Sequence, residues 1–303
     1  MKAIGIILAG GNNNRMKELT AKRAVPALPV AGSFRSIDFA LSSMSNSHIQ
    51  TVAVLTQYNA RSLNEHLSSS KWWNFGRKQG GLFLFTPTVT ADNSDWYRGT
   101  ADAMYQNIDF LKRRHEPYVI ISSGDCVYKL DFNRVLDFHI EKKSDITVVC
   151  KDMMYNDDVS RFGVVRMDDE SRITEFDEKP IEASSNTIST GIYVIRRRQL
   201  IELLEAAAEE NRFDFVNDIL VRYKNVKKIY GYKINSYWNN IADIDAYFKT
   251  NMDFLRPDVR SYFFREEPTI CSKVDDLPPA KFNPGSDISN SLVSVSYTHL
   301  TLP

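Results

Sequence analysis

The chain has 303 residues, 43% hydrophobic and 12% aromatic, enough to bury a sizeable core in one large domain or two smaller ones. Lys plus Arg and Asp plus Glu both total 38, so no net field recruits nucleic acid or an anionic membrane, and a charged ligand must be held locally. No run of about 18 apolar residues argues for a membrane span, and three scattered cysteines, Cys126, Cys150 and Cys271, suit buried thiols in a reducing cytoplasm better than a disulfide framework.

The first predicted strand is AIGIILA, from Ala3. Its apolar run is too short for a secretory leader and leads into no small-residue cleavage site. It runs into Gly10, Gly11, Asn12, Asn13, Asn14 and Arg15. Bare backbone N–H groups after a strand can cradle a phosphate. The two glycines are expected to reach positive φ, the asparagines are the next most tolerant residues there, and Arg15 adds a forked donor. Taken alone, glycines at a strand end are more often a plain turn.

The β-branched runs TVAVLT, YVIISS and DITVVC then alternate with helical patterns such as TADAMYQNIDFLKRR and FNRVLDFHIEKK. That alternation predicts an α/β fold with a mostly parallel sheet covered by helices on both faces. From residue 162 the strands FGVVRMDD, RITEFDEK and TGIYVIRRR follow one another closely, which predicts an antiparallel or mixed extension, before helical patterns return in RRRQLIELLEAAAEE and DIDAYFKTNMDFL. Pro257, Pro268, Pro278, Pro279 and Pro284 mark a linker over 256–285 after a domain over 1–255. SDISNSLVSVS within 286–303 reads as the truncated first rung of a β-solenoid, which normally needs about three repeats, and SYTHLTLP as an artefactual tail.

Three further segments carry candidate chemistry. In WYRGTADAMYQN, Gly99 and Thr100 open a helix whose first N–H groups are expected to face a ligand, with Tyr97 donating to a phosphate oxygen; the plain alternative is an N-cap and a surface tyrosine. YVIISSGDCVY ends a central strand at Gly124 and Asp125, where open α/β sheets bind ligands and where a carboxylate suits Mg²⁺. Glu178-Lys179, read alone, is a solvated pair. His48, His66, His115, His139 and His299 show no metal-ligand spacing, and the glycine loop lacks the GxGxxG spacing of a nicotinamide dehydrogenase. In KWWNFGRKQGG, Trp72 and Trp73 beside Arg77 and Lys78 read either as a subunit or effector contact or as core packing.

LAGGNNNRMKELTAKRAVPALP, FRSIDFALSSMSNS and VLTQY stand in register with the patterns LAGGxGxRLxxLTxxRAKPAxP, FRxIDFxLSNxxNS and VLTQY. The chain thus resembles the sugar-1-phosphate nucleotidyltransferases, in particular the ADP-glucose pyrophosphorylase (glucose-1-phosphate adenylyltransferase) family of bacterial glycogen synthesis, over about residues 1–293. The resemblance implies a Rossmann-like domain followed by a left-handed β-helix. It implies nucleotide contacts at Leu8, Ala9, Gly10, Gly11, Gln57, Gly99, Thr100 and Ala101, with Arg15 and Asp125 catalytic and Asp125 a Mg²⁺ ligand. It implies sugar-phosphate contacts at Tyr97, Gly163, Glu178, Lys179 and Ser189.

Three departures stand out. Asn13 replaces the third loop glycine, Val25 replaces the lysine of RAKPA, and YWNNIAD replaces YWRDVGT, so Asn240 occupies the second metal carboxylate's place and Asp243, expected as a helix N-cap, that of a threonine. Charges that act on reacting phosphates are missing from two of these positions. The resemblance is therefore closest to the regulatory-type, non-catalytic subunit, with Mg²⁺ weak or lost and a catalytic homologue as hetero-oligomer partner; an active enzyme holding Mg²⁺ through Asp125 and substrate phosphates is the alternative. ATP, ADP-glucose or glucose 1-phosphate are the expected ligands.

Overall fold

The computed structural model describes residues 2–12, 14–76, 80–88, 96–154, 157–274 and 282–293. Asn13, Arg77, Lys78, His299 and the segment 294–303 lie outside them. In chain order the elements are β1 (Ala3–Ala9), β2 (Pro29–Val30), β3 (Phe34–Arg35), α1 (Ser36–Asn46), β4 (Thr51–Thr56), α2 (Arg61–Leu67), β5 (Gly81–Phe85), α3 (Thr100–Gln106), α4 (Ile108–Lys112), β6 (Tyr118–Ser123), β7 (Cys126–Tyr128) and α5 (Phe132–Glu141). They continue with β8 (Ile146–Asp152), β9 (Gly163–Met167), β10 (Ile173–Glu178), β11 (Thr187–Arg196), α6 (Arg197–Glu209), β12 (Ile229–Lys233), β13 (Trp238–Asn240), α7 (Ile244–Asp253) and α8 (Pro257–Phe264).

Four parallel strands, β6-β1-β4-β5, form one side of the main sheet. On the other side β11 runs antiparallel to both β6 and β8, β12 lies parallel to β8, and the antiparallel pair β9-β10 branches from the start of β11. The expected parallel core with a mixed extension is thus observed. Strand alternation explains why both faces are covered. On β1, Ala3, Ile7 and Ala9 join one apolar cluster with Leu41 and Met44 of α1 and Val135 of α5, while Ile4 and Ile6 join another with Met104 of α3 and Leu200 and Leu204 of α6. Asn107 caps α3 and begins α4, so the single helix expected over TADAMYQNIDFLKRR is two.

A third cluster fastens the C-terminal helices to the loop after β1: Phe254, Val259, Phe263 and Ile270 pack on Met16, Val25, Leu28 and Phe39. The stretch 256–285, expected as a linker, therefore contributes to the core through α8. Pro257 at the first helical turn fixes φ where no N–H is needed, which is why a proline here starts a helix. Phe263 is fully buried, and one such ring contributes about 1.5–3 kcal/mol relative to exposure. Residues 286–293 form no strand and are exposed, so the expected rung is not formed among the described residues. Trp73 is core: it is buried, donates its indole N–H to the Cys271 carbonyl at 3.1 Å and lies edge-on to His66. Trp72 is half-buried against the first cluster, with Lys71 over its ring.

Candidate active site

The carboxyl ends of β1 and β6 lie side by side, Leu8 opposite Ser123, and the loops that leave them line a cleft of about 460 Å³. Leu8, Ala9, Gly10 and Gly11 form one wall, Gln57, Tyr97, Gly99 and Thr100 another, and Val25 and Asp125 close it. Seven of the eight residues expected at the nucleotide are thereby brought together; Ala101 is buried behind them. Asn12, Tyr58, Arg98 and Ser123 also line the cleft and were not among the expected site residues, although each lies within two residues of one that was. Tyr58 stacks on Trp96, with ring centroids 5.7 Å apart and both rings exposed, so a flat aromatic surface stands beside the cleft.

The glycines serve space rather than conformation. Neither Gly10 nor Gly11 has positive φ, nor does Asn12, contrary to expectation. A Cβ at Gly10 would sit 3.2 Å from the Gln57 Cβ, while one at Gly11 would meet nothing within 4 Å. Gly10 thus lets the loop lie against the end of β4, and Gly11 leaves open room toward the cleft.

Gln57 is clamped to the opposite wall. Its side-chain oxygen accepts the Tyr97 backbone N–H at 2.7 Å and its amide donates to the Tyr97 carbonyl at 3.3 Å. The Tyr97 hydroxyl accepts from Asn107 at 2.9 Å, and burial pushes its pKa up, so it stays a neutral hydroxyl. The start of α3 differs from expectation: the Ala101 and Asp102 N–H groups both donate to the Phe213 carbonyl, at 2.8 and 3.2 Å, and are spent on the fold. A Cβ on Gly99 would lie 2.3 Å from that carbonyl oxygen, so the glycine is required by close backbone approach.

Asp125 is half-buried; its carboxylate accepts from the Ser123 hydroxyl at 2.5 Å, and its backbone carbonyl accepts the Ile241 N–H at 2.9 Å. The short β7-β13 ladder sets Asn240 opposite Cys126, the residue after Asp125. The Asn240 amide donates to the Cys126 sulfur at 3.4 Å and its oxygen accepts the Ala242 N–H at 3.0 Å. It brings no charge to Asp125, and its oxygen is already engaged. Asn239, in place of an arginine, donates to Thr250. Val25 is buried among Met16, Leu28 and Phe39 and presents only methyl groups to the cleft. Among the described residues no group of three or more carboxylate, His or Cys side chains is placed to hold a metal. Asp125 fits the habit of Mg²⁺, which takes one or two carboxylates, water and substrate phosphates, but as the single carboxylate among the described residues of the cleft wall it supplies the least charge that habit allows.

The residues expected at the sugar phosphate fall in two places. Tyr97 lies in the cleft, whereas Gly163, Glu178, Lys179 and Ser189 lie outside its lining. Gly163 pairs with Glu178 across β9-β10, and a Cβ there would come within 2.9 Å of the Glu178 carboxylate. Burial pushes the Glu178 carboxyl above the usual range while Lys179, 3.3 Å away and largely exposed, opposes it. Ser189 donates to the Tyr193 hydroxyl at 3.3 Å. Asp214 bridges the two places: it adds to the upward push on Glu178 and accepts from the Thr100 hydroxyl at 3.5 Å. Arg15 is exposed beyond the glycine loop.

The glycine loop, the clamped Gln57 and Asp125 thus stand at the carboxyl edge of parallel strands, where open α/β proteins take their ligands. Comparison with known proteins agrees. The Nucleotidyl transferase family model matches residues 4–256. Glucose-1-phosphate adenylyltransferases of Clostridium novyi and Clostridium acetobutylicum are 38% and 39% identical over 293 residues, 96% of this chain and 76% and 77% of theirs. That of Pseudothermotoga lettingae is 38% identical over 97% of this chain and 70% of its own. The chain belongs to the nucleotidyl transferase family, among its glucose-1-phosphate adenylyltransferases. No helix of the described residues is long and apolar enough to cross a membrane.

Proposed function

We propose that this chain is a regulatory, catalytically weak subunit of glucose-1-phosphate adenylyltransferase in glycogen biosynthesis, working in the cytoplasm in a hetero-oligomer with a catalytic homologue. The family's reaction joins ATP and glucose 1-phosphate to ADP-glucose with release of pyrophosphate, by attack of a sugar-phosphate oxygen on the α-phosphorus. The observation that carries the reading is Asn240, whose uncharged amide is engaged by Cys126 and Ala242 where a second carboxylate would face Asp125. Val25 supports it, since a methyl-lined wall offers nothing to charge developing on phosphate. Loss of one such group costs about 10²–10³ in rate.

In this reading the nucleotide lies in the cleft with its phosphates over Gly10 and Gly11 and toward Arg15, and Mg²⁺, held weakly by Asp125, would draw charge from those phosphates. The glucose phosphate lies toward Glu178, Lys179 and Ser189. The second reading, an active enzyme that holds Mg²⁺ through Asp125 and substrate phosphates, is favoured by the half-buried Asp125 carboxylate itself. Thermal stabilisation by ATP, ADP-glucose and glucose 1-phosphate, with and without Mg²⁺, tests the first reading, because a ligand that binds only the folded chain raises its stability. Stabilisation by at least one ligand, with little dependence on Mg²⁺, is expected; none by any ligand would refute binding in the cleft.

A further inference from the structure

Asp243 and Arg161 form an ion pair that the site described above does not use. Asp243 lies three residues beyond Asn240 in the turn between β13 and α7; Arg161 lies in the connection from β8 to β9. One carboxylate oxygen of Asp243 caps α7 by accepting the Ala246 N–H at 2.7 Å, and the other takes the Arg161 Nη1. The cap was expected from sequence; the ion pair was not. Both side chains are largely enclosed, 25% and 22% exposed.

The guanidinium is held like a binding group. Its plane lies over the Phe162 ring at 5.0 Å, Phe162 in turn meets the Trp238 ring at 5.6 Å, and the Arg161 Nε is buried without a hydrogen-bond partner. A fork suited to two oxygens is thus engaged at one nitrogen. Arg161 itself lies outside the cleft lining and is linked to the cleft through its neighbours. The Ile241 N–H, two residues from Asp243, is bonded to Asp125, and Arg15, which follows the glycine loop, adds like-charge repulsion to the burial that pushes Arg161 down from its ordinary value. Ser160, donating from its hydroxyl and its backbone, holds Asp158 below the usual carboxylate range, and Arg161 and Arg15 add to that. The carboxylates of Asp158, Asp157 and Asp245 also act on Arg161, but among the described residues Asp243 is the one in direct contact with its guanidinium.

We propose that Arg161 is a phosphate-binding residue whose ligand place is occupied by Asp243, so that the chain carries an internal carboxylate competing with the terminal phosphates of a nucleotide or with pyrophosphate. The inference rests on the reading that the cleft takes a nucleotide. A polyphosphate entering beside Arg15 must displace Asp243 from Arg161 and leave that carboxylate without its partner, which weakens phosphate binding without removing it. The position of Asp243 makes the competition separable from folding, because Asn and Ser cap a helix as well as Asp does.

The test is calorimetric titration of the full chain with pyrophosphate and with ATP, for wild type, Asp243→Asn, Asp243→Ser and the double variant Asp243→Asn/Arg161→Gln. Asp243→Asn and Asp243→Ser are expected to bind pyrophosphate about tenfold tighter than wild type, the gain of one charge-assisted contact, and Arg161→Gln is expected to cancel that gain. Unchanged or weaker binding in both single variants, or a gain that survives Arg161→Gln, overturns the inference. If wild type binds ATP and the variants show no gain, the nucleotide reading stands and this inference falls. If no chain binds either ligand, both fall.

Discussion

Replacing Gly99 by Ala tests why this glycine stands at the mouth of the cleft. Its backbone is extended, with φ −177°, a conformation open to any residue, so the substitution carries no left-handed strain. The obstacle is the Phe213 backbone: an added Cβ would lie 2.3 Å from its oxygen, 2.7 Å from its carbonyl carbon and 3.1 Å from its Cβ. Backbone cannot swing aside as a side chain can, so the segment must retreat, and that stretches the hydrogen bonds from Ala101 and Asp102 to the same carbonyl. Two such bonds at about 0.5–1.5 kcal/mol each, with overpacking of about 1–3 kcal/mol, give a destabilisation of roughly 2–6 kcal/mol. Urea denaturation measures it, with Gly11→Ala as control: a Cβ there meets nothing within 4 Å, so stability is expected to change by less than about 0.5 kcal/mol. A Gly99→Ala variant as stable as wild type would refute the close-approach argument.

Three further outcomes follow from the same geometry. His139 is buried, its Nδ1 2.8 Å from the Thr147 hydroxyl and its Nε2 without a partner, and burial lowers its pKa to about 4. The unfolded imidazole takes its proton near 6.5, so the unfolded chain binds more protons below that pH, and the folded state loses up to about 3 kcal/mol as pH falls from 6.5 to about 4. His139→Leu should flatten that limb of a stability-against-pH curve; an unchanged slope would contradict it. Gln57→Leu leaves the Tyr97 N–H without its acceptor and should cost about 1–3 kcal/mol in urea denaturation together with weaker ATP binding; a neutral effect on both would remove the clamp. Glu178 has a raised carboxyl pKa in the folded chain, so the folded state binds more protons and its stability falls as pH rises through that range. Glu178→Gln should raise the melting temperature at pH 7 and not near pH 4; an equal rise at both would show that the carboxylate is not the cause.

The parallel core was legible because β1, β4 and β6 are buried on both faces and read as continuous apolar runs. Part of the cleft was legible for a related reason: Gly10, Gly11, Gln57 and Asp125 lie in the first residues after those strands, so sequence register fixes what stands there. What sequence did not disclose depends on contacts between distant segments. Gly99 is set by Phe213 and Gly10 by Gln57; Gly10 reads in sequence as a source of positive φ and Gly99 as a helix start, and both are spacers. The density of prolines concealed α8, although Pro257 at its first turn is itself a start signal. The pairing of Asp243 with Arg161 joins two loops far apart in the chain, and neither residue's neighbours announce it.

The central claim is that a cleft of adenylyltransferase shape has lost the charges that drive turnover. Its most direct test is the rate of ADP-glucose formation by the purified chain alone, beside the double variant Val25→Lys/Asn240→Asp, with folding of each checked by circular dichroism. The account predicts a rate for the unaltered chain at least about 10² below the ordinary range of 1–10³ s⁻¹, and a rise of about 10² or more when lysine and carboxylate return together. Turnover within the ordinary range by the unaltered chain would contradict it, as would a folded double variant no faster than the chain it came from.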